Sequence, residues 1–354
     1  MDQKELSSLK EIKEPYRLFI AYMVSAGFVT IALLLGISIG SIHIPILSIL
    51  TILGEFLFQP SVPAEHLEQM RTLIISIRLP RVLLSFLVGA ALAVSGAALQ
   101  GLLKNPLADP YTLGVSSGAS LGAVIVLFFH LQLPVLAGYT MPFVSVSMAL
   151  LTLIFMIFIS TSVLKRITAE SMILIGIILS SFLSAVISLL IALSGEELRQ
   201  IVTWLLGSVS MRGWTYIKLF LPFFTAGMLI LFLYLRDLNV LTFGDEIAQS
   251  LGVNVWRSKI LILFGASLLT GGAVAVSGTI GFVGLVVPHV TRLYLGSNYR
   301  HLLPLSFLNG GAFLVLADLI ARTVITPREL PIGVITALVG APAFAVLFIR
   351  KYRN

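Results

Sequence analysis

Ten apolar stretches, each near the length that crosses a bilayer, recur along this chain between short polar breaks. They fall at 17–39, 80–103, 113–131, 141–163, 171–193, 216–235, 257–277, 280–296, 304–323 and 331–350. A bilayer core needs about 20 apolar residues per helix. Inside it every backbone N–H and C=O must bond within the protein, so such stretches form helices. Composition points the same way: 58% of the 354 residues are hydrophobic and 11% charged, against about 25% charged in soluble domains. The expectation is an all-α membrane protein of about ten transmembrane helices, in one polytopic domain over 1–354. The eighth stretch is the shortest, and Pro288 is expected to break it. Two further apolar stretches, 44–58 and 198–209, are too short or interrupted to cross and read as amphipathic surface helices.

The net charge of +7 does not indicate nucleic acid, because the basic residues sit in short groups between apolar stretches, where anionic lipid meets a loop. If the N-terminus is cytoplasmic, the inner segments hold 15 of the 23 Lys and Arg, among them Lys104, Lys165, Arg166, Arg236, Arg292 and Arg300. That bias places both termini in the cytoplasm. The polar start, Met1–Tyr16, lacks a signal-peptide cleavage pattern. No cysteine is present, which removes disulfides, thiolate metal sites and cysteine nucleophiles.

The chain also repeats itself. The 26 residues from Gly89 (GAALAVSGAALQGLLKNPLADPYTLG) align without gaps to those from Gly271 (GGAVAVSGTIGFVGLVVPHVTRLYLG), with ten identities. Ser95-Gly96 matches Ser277-Gly278, Pro106 (after Asn105) matches Pro288 (before His289), and Gly114 matches Gly296. The copies begin in the second and seventh stretches, five crossings apart, so they should run in opposite directions as inverted halves, roughly 78–195 and 257–350. Small residues let helix backbones approach closely, and the prolines are expected to interrupt each copy. Packing alone and packing around a pathway are both consistent with this pattern.

Ionisable residues inside the stretches are scarce, which disfavours a stand-alone ion-coupled transporter. Asp318 lies four residues before Arg322 and should pair with it on one helix face. The phosphate-binding pattern GxxxxGK[ST] is absent, and no glycine precedes a lysine. Any ATP must therefore be bound by another subunit. Gly114-Val115-Ser116-Ser117-Gly118 fits the G-x-S-x-G pattern of some serine nucleophiles, with His130 or His289 as the conceivable base. No strand precedes it, and small-residue packing is the favoured reading over an intramembrane hydrolase. No histidine grouping has metal-ligand spacing, so no metal site is expected.

Between the sixth and seventh stretches, Gly244-Asp245-Glu246-Ile247-Ala248-Gln249-Ser250-Leu251-Gly252 has acidic residues at a helix start, apolar Ile247 and Leu251 at i and i+4, and a closing glycine. It reads as a short surface helix, either a solvated connector or a docking helix. At the outer boundary Arg78, Arg81 and Arg322 either reach to lipid headgroups or grip carboxylates of an external protein.

Taken together, RLPR (78–81), the segment 89–120, GDEIAQSLGV (244–253), SGTIGFVGLVVPHVTR (277–292), ADLIAR (317–322) and ELPIGVITALVGAP (329–342) resemble the FecCD-type permeases of ABC importers for iron–siderophore, haem and cobalamin. The resemblance spans nearly the whole chain in motif order. It implies a cobalamin-importer-permease-like fold and pairing with a second permease copy, identical or related, about a pore. It further implies two ATP-binding subunits, carrying ATP and Mg, beneath, and an extracytoplasmic substrate-binding protein above. It assigns ATPase coupling to Gly244, Asp245, Glu246, Ala248, Leu251 and Gly252, and binding-protein docking to Arg78, Arg81 and Arg322. The inner gate falls at Ala169 and Glu170, where this sequence departs from the small hydroxyl residues of the cobalamin case. No cofactor is expected on this chain itself.

Overall fold

A computed structural model of the protein describes residues 3–40, 42–58, 65–134, 136–162 and 168–353. Lys165 and Arg166 lie outside them. Among the described residues the chain is helical and contains no strand.

The ten expected stretches each become a helix: α1 (Gln3–Ser38), α4 (Leu79–Leu102), α5 (Val115–Phe128), α6 (Thr140–Ser162), α7 (Ala169–Leu193), α9 (Trp214–Leu233), α12 (Val255–Ser277), α13 (Val283–Leu295), α14 (Tyr299–Thr323) and α15 (Ile332–Arg353). Between them lie α2 (Ile46–Phe58), α3 (Glu65–Thr72), α8 (Leu198–Leu205), α10 (Leu235–Leu241) and α11 (Asp245–Ser250). By length and composition, seven of the described helices are able to cross a membrane, and α5, α13 and Ile332–Val346 of α15 are shorter apolar helices.

Several bounds differ from expectation: α1 begins at Gln3 rather than 17 and α14 at Tyr299 rather than 304, and two further differences have local reasons. The second stretch is not bounded at residue 80, because helix continues from Gln69 to Leu102. Pro80 has no N–H to bond four residues back. Just ahead of it the backbone takes a π register over Leu73–Arg78, with the Leu79 N–H bonded to Ile74 O. In the eighth stretch Pro288 does not break the helix; it lies within α13. The interruption falls earlier, where Gly278 ends α12 at φ 70° and Phe282 at φ 68° opens α13.

The repeated segments consequently differ in where the helix yields. The first copy stays helical through Ser95 and Gly96 to Leu102, and Pro106 lies in the following turn, whereas the second stops at Ser277. Their last residues agree: Gly114 and Gly296 have φ of 78° and 80°.

The centre of the bundle is α4 and α12, which are buried along most of their length. Small residues permit this. A Cβ built on Gly96 would lie 2.0 Å from Gly284 O of α13, and one on Gly89 would lie 2.2 Å from Gly310 O of α14. These crossings bring backbone against backbone. Ser95 Oγ accepts from Thr270 Oγ1 at 3.0 Å, tying α4 to α12. Lipid-length helices at the periphery instead expose apolar side chains such as Phe19, Ile154, Phe158, Phe182 and Leu229.

Candidate functional site

The connection between α9 and α12 folds into α10 and α11. Gly244 at φ 126° opens α11, and Gly252 at φ 82° closes it, conformations that favour glycine. At the closing end the Val253 N–H bonds Ala248 O and the Gly252 N–H bonds Gln249 O, each at 3.0 Å, a Schellman pattern. Asp245 accepts from Lys259 Nζ of α12 at 2.5 Å, and Ser258 Oγ donates to Asp237 of α10 at 2.5 Å. The first bond ties α11 to α12, and the second ties α10 to α12.

What it presents follows from its register. Ala248 is fully buried and anchors the helix, while Leu251 is 60% exposed and Phe243, Ile247 and Trp256 are exposed beside it. Of the six expected coupling residues, Glu246, Leu251 and Gly252 face outward with half-exposed Asp245, whereas Ala248 and Gly244 shape the backbone. A cleft of about 770 Å³ beside α11 is lined by Thr168, Asp245, Glu246, Gln249, Trp256 and Lys259. Thr168 caps α7 by accepting from the Ser171 N–H. The expected gate residues, half-buried Ala169 and exposed Glu170, form the first turn of α7, next to Thr168 in the wall of the cleft beside α11.

Away from α11 the three arginines do converge, but onto internal partners. Arg78 is 4% exposed and donates to Ile37 O at 2.6 Å, Ser38 O at 2.8 Å and Ile42 O, closing the C-terminal end of α1. Arg322 Nη2 donates to Gly36 O at 2.5 Å. Arg81 donates to both oxygens of Asp318, at 2.8–3.1 Å, and to both oxygens of Glu329, at 2.8 and 3.0 Å. Asp318 is 1% exposed and its i+4 partner Arg322 stands 3.8 Å away. The helix-face pair read from the sequence exists, and the closer partner is Arg81 of another helix. Burial works against ionisation of Glu329, but hydrogen bonds from Arg81 and Ser210 outweigh it and hold its pKa below the ordinary carboxylate value. Arg78 and Arg322 therefore secure this end of the bundle from within, while of this cluster Arg81 is partly and Glu329 more fully exposed.

Helix ends meet at the interruption between α12 and α13. Ser277 O accepts from the Ser208 N–H at 2.7 Å, and Gly207 O from the Ile332 N–H at 3.0 Å. Thr279 Oγ1 donates to Leu205 O, and the Ile280 N–H donates to the Tyr111 hydroxyl at 2.6 Å. A Cβ on Gly278 would sit 2.1 Å from Trp204 O. This is non-helical backbone satisfied by neighbouring protein, as in broken transporter helices. Ser277 and Gly278 belong to it. Ser95, Gly96, Pro288 and His289 are buried in helix packing, with the His289 ring edge-on to Phe344. Asn105 and Pro106 instead lie half-buried in the turn after α4. Tyr111, Trp204, Gly207, Thr279 and Ile332 escaped the sequence reading, since their significance lies in contacts between segments distant along the chain.

Ser116 is fully buried, its Oγ makes no hydrogen bond among the described residues, and His130 pairs instead with Glu197 at 3.0 Å. Neighbouring Gly118 packs against α6, where a Cβ would meet Thr152 Oγ1 at 2.2 Å. The motif packs helices together, and no described side chain bonds the Ser116 hydroxyl.

A bundle of long apolar helices interrupted at a buried junction, with a short helix bearing an exposed apolar face at one end, is the architecture of a polytopic membrane protein. The chain matches the FecCD transport family over residues 28–350 and belongs to that family. It is a multi-pass membrane protein and a permease subunit of an ABC importer; such subunits are not themselves enzymes. It is 56% identical over 336 residues to the uncharacterized ABC transporter permease protein YvrB of Bacillus subtilis, covering 95% of each chain. It is 43% identical over 287 residues to the hemin transport system permease protein HmuU of Yersinia pestis, covering 78% of this chain and 83% of that one. Among solved structures, a metal-chelate type ABC transporter in an inward-facing conformation matches with a TM-score of 0.79 and 34% identity, over 95% of this chain and 99% of the other.

Proposed function

We propose that the protein pairs with a second permease copy, identical or related, to form the pathway of a metal-chelate importer, with both termini in the cytoplasm. The chelate is an iron–siderophore complex, or haem or cobalamin, delivered by an extracytoplasmic substrate-binding protein. ATP and Mg reside on two separate ATPase subunits. The observation that carries this is the apolar face of Phe243, Ile247, Leu251 and Trp256, held rigid by the Asp245–Lys259 pair and displayed at the end of the bundle. A fixed amphipathic helix of this kind seats in a partner's groove.

Names among the relatives support a chelate substrate, since they include hemin, cobalamin and Fe(3+)-citrate permeases alongside a molybdate one. The inverted halves read from the repeat supply two crossing helices, α4 and α12, around the interruption at Ser277-Gly278. Motion at α11 would reach the first turn of α7, and hence Ala169 and Glu170, through their shared cleft. Binding-protein docking falls on the far end, at the surface formed by Arg81 and Glu329 with Arg78 and Arg322 supporting it from below.

The test is reconstitution with the neighbouring ATPase and binding protein in nanodiscs. ATP hydrolysis should rise when the binding protein is loaded with the correct chelate, and a strain deleted for this gene should lose uptake of that chelate. Unchanged uptake of all three chelate classes in the deletion strain would overturn the assignment.

A further inference from the structure

A cleft of about 830 Å³ beside α11, which shares Phe243 with its apolar face, carries a different chemistry. Its wall includes Lys104 after α4, Arg236 and Asn239 of α10, Arg292 of α13 and Arg300 at the start of α14, and no Asp or Glu is among its lining residues. None of these four cations lies within 4.0 Å of a carboxylate among the described residues. Like charges around one concavity repel, and an anion relieves that repulsion. The frame is preorganised: Asn239 Oδ1 accepts from the Tyr299 N–H at 2.9 Å, and Asn239 Nδ2 donates to Asn298 Oδ1 at 3.3 Å. The N-terminus of the 25-residue α14 opens at the same place, adding the positive end of its dipole.

The next turn contributes a second feature. Residues of α13 that include Tyr294 and Leu295 border an apolar groove of about 680 Å³ between α13, α14 and α1, with Arg17 at its mouth donating to Tyr294 O. A basic cleft and an apolar groove bordered by the same end of one helix match the two parts of a phospholipid.

We propose that the cleft of Lys104, Arg236, Arg292 and Arg300 binds the phosphate of an acidic phospholipid headgroup next to the coupling helix. The inference rests on the cytoplasmic orientation proposed above, where acidic headgroups attract such basic clusters. Occupancy would brace α10, and through the Asp237–Ser258 bond α12, so that lipid composition tunes coupling.

Titration of the purified permease with phosphatidylglycerol, read by native mass spectrometry, tests this against phosphatidylcholine, inorganic phosphate and ATP. Phosphatidylglycerol should bind selectively. The variant Arg236→Ala/Arg300→Ala, which alters two exposed side chains, should bind it roughly thirtyfold more weakly, and Arg257→Ala, outside the cleft, should bind as wild type. Competition by inorganic phosphate or ATP at comparable concentration would retain the phosphate site and assign it to a soluble anion. No selective binding, or equal binding by the double variant, would overturn it, as would loss of ATPase co-purification with lipid binding unchanged. Because the chain has no cysteine, Ser297→Cys labelled with an impermeant maleimide reports the side independently. Labelling from outside the cell would refute the orientation while leaving the binding result standing.

Discussion

Arg81 and Asp318, 237 residues apart, form a two-pronged ion pair between α4 and α14 at 2.8–3.1 Å, with the carboxylate 1% exposed. Glu329 grips the other edge of the same guanidinium. One arginine thereby fixes two helices and the α14–α15 connection, while Arg322 joins Asp318 to the end of α1. A buried pair of this kind is a weak source of net stability, yet breaking it strands a charge.

Asp318→Asn is therefore expected to destabilise the protein by about 3–5 kcal/mol, and Glu329→Gln, at a half-exposed carboxylate, by about 1 kcal/mol or less. Thermal unfolding in detergent, followed by size-exclusion chromatography, compares the two. Equal midpoints for both variants would show that burial of Asp318 does not matter.

Leu251→Glu should leave the permease folded, because the side chain is 60% exposed. The loss should appear in assembly, where a buried leucine contributes roughly 1.5–3 kcal/mol. Ala248→Glu should instead impair folding, since that position is fully buried. Co-purification of the ATPase at wild-type yield with Leu251→Glu would argue against docking on this face.

The crossing of α4 with α13 predicts that Gly96→Ala is destabilising by about 1–3 kcal/mol or more, since the added methyl meets backbone at 2.0 Å. Gly27→Ala has no atom within 4 Å of the new methyl and should be neutral within about 1 kcal/mol. A similar unfolding midpoint for both would refute the close approach.

Ser116→Ala should keep chelate uptake within about twofold of wild type, because the buried hydroxyl makes no hydrogen bond among the described residues and its loss removes an unsatisfied group. Abolished transport with normal membrane levels of the variant would restore a chemical role for this serine.

The helical architecture was legible because hydrophobic length is a local property: runs near 20 residues identified ten of the helices before any tertiary contact was known, though not the short polar α3 or the short α10. The motif from Gly244 to Gly252 was legible for the same reason, as its glycines, acidic start and i,i+4 apolar pair all lie within one short segment. Repetition of Ala-Val-Ser-Gly was legible too, but not its consequence, because identical residues continue a helix at Ser95-Gly96 and end one at Ser277-Gly278. That difference is set by what each copy packs against: Gly284 beside Gly96, and the Trp204–Ser208 backbone beside Gly278.

The arginines show the division most clearly. Their positions at the helix boundaries and their convergence followed from the sequence, through the length and order of the apolar runs. Which groups they bind did not, since Ile37, Ser38, Asp318 and Glu329 reach them only once α1, α4 and α14 have packed. The sequence determined that this chain is a bundle of membrane helices with a short glycine-bounded helix between two of them. Tertiary structure decided which charges are buried, which residues break α12 from α13, and which cations gather around an open cleft. Burial and ion pairing are energies between distant segments, and they acquire values only when those segments are brought together.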